Sequence, residues 1–146
     1  MTSTVTTTRK ILLHFFVISA AIVVLFWGNS LSRQHAQFAK GEQAQARGDV
    51  IAAISGYASA IHMYTPGSSL VETAATRLWS LGESCERTGE MERARIAYRS
   101  LRSSWYAIRG LTTPGSAWIA RCDEKLAKLT ADQPPQPNSS TPNKQQ

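Results

Sequence analysis

Residues able to do chemistry are sparse in this chain and poorly spaced for it. The three histidines, His14, His35 and His62, are scattered, and the first lies inside an apolar run. Cys85 and Cys122 lack metal-site spacing, and no glycine-rich loop follows a strand-like segment. Asp49 precedes a helical stretch, where a carboxylate suits a cap better than a general base. The expectation is a protein that is not an enzyme and that holds no metal and no cofactor.

Two patterns of surface chemistry remain. Phe38/Glu42 and Trp79/Glu83 each place a carboxylate four residues after an aromatic, on one helix face. Aromatic anchors with polar neighbours are typical of binding hot spots, although both rings could simply pack helix on helix. The second pattern lies in ERARIAYRSLRSSWYAIRGL. At about 100° per residue, Arg95, Arg99, Arg102, Tyr106 and Arg109 fall within roughly 80° of one another. Beside them runs an apolar face of Ala94, Tyr98, Leu101, Trp105 and Ile108. Such a basic stripe is either a solvated flank whose stems cover the core edge, or a contact for acidic protein or anionic lipid.

These helices need an architecture to position them. The 146 residues allow one ordinary domain. Net charge is +6, but residues 33–132 hold 13 basic residues against all 10 acidic ones, a balance of only +3. No base-reading motif accompanies that charge, so nucleic acid is not the expected partner. The apolar content is concentrated in ILLHFFVISAAIVVLFW, residues 11–27, which contains no Asp, Glu, Lys or Arg. Its length approaches what a bilayer crossing requires, and Trp27 suits the headgroup layer. The run is long for a signal-peptide core and no Ala-x-Ala follows it, so an uncleaved anchor over residues 11–28 is expected. Arg9 and Lys10 abut it more closely than Arg33 and Lys40 do. That favours the N-terminus inside and the main domain outside, which in a bacterium means the inner membrane with a periplasmic domain.

Shifting the sequence by 41 residues lays Phe38 on Trp79, Gly41 on Gly82, Glu42 on Glu83, Gly48 on Gly89, Asp49 on Glu90, Ala53 on Ala94 and Tyr57 on Tyr98. A helical hairpin accounts for each class. One glycine permits close helix approach, the next opens the turn, an acid follows at the new N-terminus, and alanine and tyrosine share the packed face. The tetrapeptide TPGS, at residues 65–68 and 113–116, reads as a corner between hairpins, with its serine capping the next helix.

With these residues the chain resembles the tetratricopeptide repeat family. Gly41, Gly48, Ala53, Tyr57, Ala60 and Pro66 match in the first unit, and Leu78, Leu81, Gly82, Gly89, Ala94 and Tyr98 in the second. It departs from the family pattern at Gln37, Lys40, Cys85 and Leu101, and its period is longer than the usual ~34 residues. The resemblance implies stacked hairpins whose first helices line a partner-binding groove. His35, Phe38, Glu42 and Gln45 would face it from one unit, and Thr76, Trp79, Glu83, Glu86 and Arg87 from the next. It also implies that Cys85 and Cys122 lie several turns apart and remain thiols.

The expected chain is therefore all-α. A short basic segment (1–10) precedes the anchor (11–28), a helical domain follows (33–130), and a disordered tail ends the chain (131–146). Helices are expected at about 9–28, 33–47, 50–64, 68–88, 90–110 and 116–130, with the first two able to run together because no proline separates Trp27 from Arg33. The expected function is a membrane-anchored adaptor that holds a protein or peptide partner. A structural subunit of a larger membrane complex, docking through the basic stripe, is the alternative.

Overall fold

The computed structural model describes residues 2–65, 68–110 and 113–132, with side chains from residue 13 onward. Pro66 and Gly67 of the first TPGS and nearly all of the expected tail lie outside the described residues. Five helices follow in order: α1 (Thr2–Ala46), α2 (Val50–His62), α3 (Leu70–Arg87), α4 (Met91–Ala107) and α5 (Ser116–Ala131). There is no strand among the described residues.

The expected anchor and first domain helix are one element. The 45 residues of α1 extend about 68 Å at 1.5 Å per residue. Its first part projects from the domain, with Phe15, Phe16, Leu25 and Phe26 each more than 70% exposed. Its last part is the first wall of the bundle. This helix is long and apolar enough to cross a membrane. Gly28, at the junction, has nothing within 4 Å of where a Cβ would stand, and the helix passes through it unbroken.

The two inter-helix turns are built alike. At the end of α1 the amide of Gly48 donates to the Gln45 carbonyl and that of Asp49 to Ala44; at the end of α3, Gly89 donates to Glu86 and Glu90 to Cys85. Both are Schellman turns, which require a left-handed residue, and Gly48 and Gly89 supply it with φ of 75° and 79°. Asp49 then caps α2, its carboxylate accepting from the Ala52 amide at 3.0 Å, as anticipated. Glu90 makes no such cap and pairs instead with Arg93 at 2.6 Å.

Helix approach is governed by glycine against tyrosine. A Cβ on Gly41 would stand 2.8 Å from the Tyr57 ring, and one on Gly82 would stand 2.8 Å from the Tyr98 ring. The first crossing is closer still, because a Cβ on Gly56 would lie 2.5 Å from the backbone nitrogen of Gly41. Gly56 escaped the sequence reading; its counterpart in the second hairpin is Ala97, fully buried. Tyr57, Tyr98, Leu78 and Leu101 complete a core continuous through α2, α3 and α4.

The TPGS corners act differently from expectation. At the second, the residue preceding α5 is Gly115 with φ of 72°, and Ser116 is already helical, so serine is not the cap. Gly115 lies on the buried Trp105 ring, 2.1 Å from where its Cβ would be, so any side chain there would displace the indole. At the first corner α3 starts at Leu70, and the Ser68 hydroxyl accepts from the Leu70 amide at 3.3 Å while donating to Gln34 at 2.9 Å. Gln34 is wholly buried and donates to the Ala60 carbonyl at 3.0 Å, tying α1 to α2 and to the start of α3. Finally, α4 exceeds α2 by four residues, about one turn.

Gly56→Ala is expected to destabilise the bundle by about 1–3 kcal/mol, because the added methyl meets backbone rather than a yielding side chain. Thermal melts followed by circular dichroism should show that loss, whereas Gly28→Ala should leave the melting temperature unchanged.

Candidate partner-binding face

In both hairpins the aromatic of the first helix rests on the tyrosine of the second. Phe38 stacks on Tyr57 at 5.6 Å and Trp79 on Tyr98 at 4.9 Å between ring centroids, both tilted. The carboxylates serve the same tyrosines. Tyr57 Oη donates to Glu42 and contacts Gln45, each at 2.5 Å, and Tyr98 Oη donates to Glu86. Burial, and then the neighbouring carboxylate, push both phenols well above the ordinary tyrosine range. Phe38 is half-buried, Trp79 is 8% exposed, and the rings contribute chiefly to packing.

Helix α5 decides what else is open. Trp118 sits 6.0 Å from the Trp79 ring, and its indole nitrogen donates to Glu72 at 2.8 Å. The Arg121 guanidinium lies over both indoles, 4.3 Å from Trp79 and 4.6 Å from Trp118. Lys125 bonds both carboxylate oxygens of Glu86 at 2.9 Å. The part of the anticipated groove around Trp79 and Glu86 is thus occupied by the chain's own closing helix. Burial alone would raise the Glu86 carboxyl, but the Tyr98 hydroxyl and the Lys125 ammonium outweigh it, and the group is held below the usual glutamate range.

The basic stripe is divided by the same helix. Arg95, at 6% exposure, is buried rather than on the solvated flank: it donates to the Leu129 carbonyl at 2.6 Å and pairs with Glu92. Arg102 pairs with Asp123 at 2.6 Å. Arg102 and Arg109 both lie against the Tyr106 ring, at 5.4 and 4.7 Å. Arg99 alone of the four is exposed. Arginine spacing within α4 was legible; that α5 would lie across it was not.

What stays open is the strip between α1 and α3. Glu42 and Arg77 bridge it in an ion pair at 3.2 Å, with side chains 39% and 52% exposed. Beside that pair a depression of about 350 Å³ is lined by Glu72, Thr73, Thr76, Arg77 and Ser80. His35, Gln45 and Arg87 are exposed and Glu83 half-exposed at its margins. Its lining presents hydroxyls and charges of both signs. Among the described residues no cluster of His, Cys, Asp and Glu is arranged to hold a metal. Both cysteines are free and buried, and burial, with Asp123 second, pushes the Cys122 thiol up to about 11.

A lowered Glu86 pKa stabilises the fold at neutral pH. That contribution is fully present above the ordinary value of 4.5 and is lost as pH falls through the depressed folded value. Glu86→Gln should therefore be less stable than the parent at neutral pH, and the gap should close as unfolding is measured at progressively lower pH below the glutamate range.

No protein-family model, curated protein or solved structure matches this chain.

Proposed function

We propose that this protein is a membrane-anchored, non-catalytic interaction module of tetratricopeptide type, in which the α1 run from about residue 11 to 28 spans the bilayer and the helical domain presents the α1–α3 strip to a protein or peptide. The observation that carries the reading is the continuity of α1: one helix is an exposed apolar rod at its start and a packed wall of the bundle at its end. Single-sided burial of that kind leaves a large apolar surface that water disfavours and lipid accepts. The repeated turns and the glycine–tyrosine contacts support the repeat assignment, because equivalent residues perform the same task 41 positions apart. On the basic flanks of the apolar run, the domain lies outside the cell membrane and the N-terminus inside.

The adaptor role is preferred over docking through the arginine stripe because Arg95 and Arg102 are already paired within the bundle. The partner-binding strip centres on Phe38, Glu42, Thr76, Arg77 and Glu83, with Trp79 and Glu86 supporting it from below.

Co-purification of the intact protein in mild detergent tests this, using Thr76→Arg with Ser80→Arg on the strip and Arg99→Glu on the stripe as the contrasting variant. Two bulky cations placed in a contact face should weaken retention of the partner about tenfold or more. Loss with the strip variant and retention with Arg99→Glu is the expected result. The reverse pattern would reassign the contact to the stripe.

A further inference from the structure

A second site lies where the projecting rod meets the bundle. There a cavity of about 350 Å³ is lined by Phe26, Asn29, Ser30, Arg33, His62 and Tyr64. Among the described residues no carboxylate lines it. Arg33 and His62 are exposed, and neither has an ion-pair or hydrogen-bond partner among the described residues. Its wall combines two basic side chains, a hydroxyl and an amide with the apolar ring of Phe26. Tyr64, in its lining, is 40% exposed.

Packing brings other elements to this end of the rod. Ser30 meets Thr65 at 3.4 Å, and Gln34 bonds the Ala60 carbonyl and accepts from Ser68, so the end of α2 and the start of α3 gather beside the rod, with the start of α5 tied to α3 through Trp118 and Glu72. Glu72 is engaged by Trp118, and Asp123 by Arg102. Glu42, Asp49, Glu86, Glu90 and Glu92 lie toward the far turns. Depth fits as well. Arg33 follows Trp27 by six residues, about 9 Å along the helix, and the interfacial layer beyond the hydrocarbon is about 5–7 Å thick. An arginine side chain reaches back across the difference.

We infer that this cavity binds the phosphate headgroup of an anionic phospholipid in the leaflet on the domain's side, with Arg33 and His62 as the basic contacts, Ser30 and Asn29 as neutral donors, and the acyl chains running along Phe26. The inference rests on the membrane-spanning reading of α1. Occupancy would fasten the end of α2 to the membrane surface and fix the height of the α1–α3 strip above it.

The full chain is reconstituted in vesicles of phosphatidylcholine with and without phosphatidylglycerol, and lipids retained after detergent extraction are identified by native mass spectrometry. The parent should retain one phosphatidylglycerol in preference to phosphatidylcholine. Arg33→Gln should weaken that preference about fivefold, the scale of one basic residue near a charged surface, and His62→Gln should weaken it further. Arg99→Gln, with helicity unchanged, should leave it intact. Equal retention of the two lipids, or loss with Arg99→Gln as well, overturns the site. Displacement of the lipid by an equal concentration of glycerol phosphate would make it a site for soluble anions and overturn the lipid assignment. Failure of the parent to float with vesicles of either composition would overturn the spanning reading of α1, and this inference with it.

Discussion

The bundle depends on the crossing of α1 and α2, where Gly41 and Gly56 bring two backbones closer than any side chain would allow. The contact sets the distance at which Tyr57 fills the space beside Gly41, and the tyrosine hydroxyl then reaches Glu42 and Gln45. Because α1 is continuous, the same crossing also couples the bundle to the apolar rod. The position of the domain relative to the apolar rod is consequently a matter of helix geometry rather than of a flexible tether.

The closing helix gives the molecule its second constraint. A last hairpin leaves a face of α3 and α4 that water disfavours, and terminal elements of helical stacks cover such faces. Here α5 does so with Trp118, Ile119, Cys122 and Leu129; the Trp118 indole bonds Glu72, and the charged residues of α5 engage Glu86, Arg102 and the Trp79 ring. On that surface α5 takes the C-terminal part. The strip that stays open lies between α1 and α3, on the side nearer the rod.

Much of this was legible because repetition marks residues whose role is backbone geometry. Gly48 and Gly89 sit in the left-handed region, Asp49 caps α2, and Ala53, Tyr57, Ala94 and Tyr98 are fully buried, as their spacing suggested. Helical periodicity states which residues share a face, but not which neighbour will cover that face. That is why Arg95 read as solvated although α5 lies over it, and why the groove around Trp79 and Glu86 read as open. Polar burial was equally hidden: nothing in the type of Gln34 distinguishes it from the exposed glutamines nearby, and only the arrival of Ala60 and Ser68 beside it explains its place. Gly56 was missed because its partner position in the second hairpin is alanine.

The central claim is that α1 is one rigid helix from the apolar run into the bundle. Spin labels at Ile18→Cys and Ala36→Cys, five helical turns apart, measure it directly in the full chain in lipid vesicles by pulsed electron paramagnetic resonance. Both native thiols are buried, so labelling is directed to the introduced sites. A narrow distribution centred at about 27 Å between the labelled backbone positions is the result a continuous helix requires. A broad or markedly shorter distribution would mean a hinge between rod and bundle, and the account of how the domain is held would be wrong.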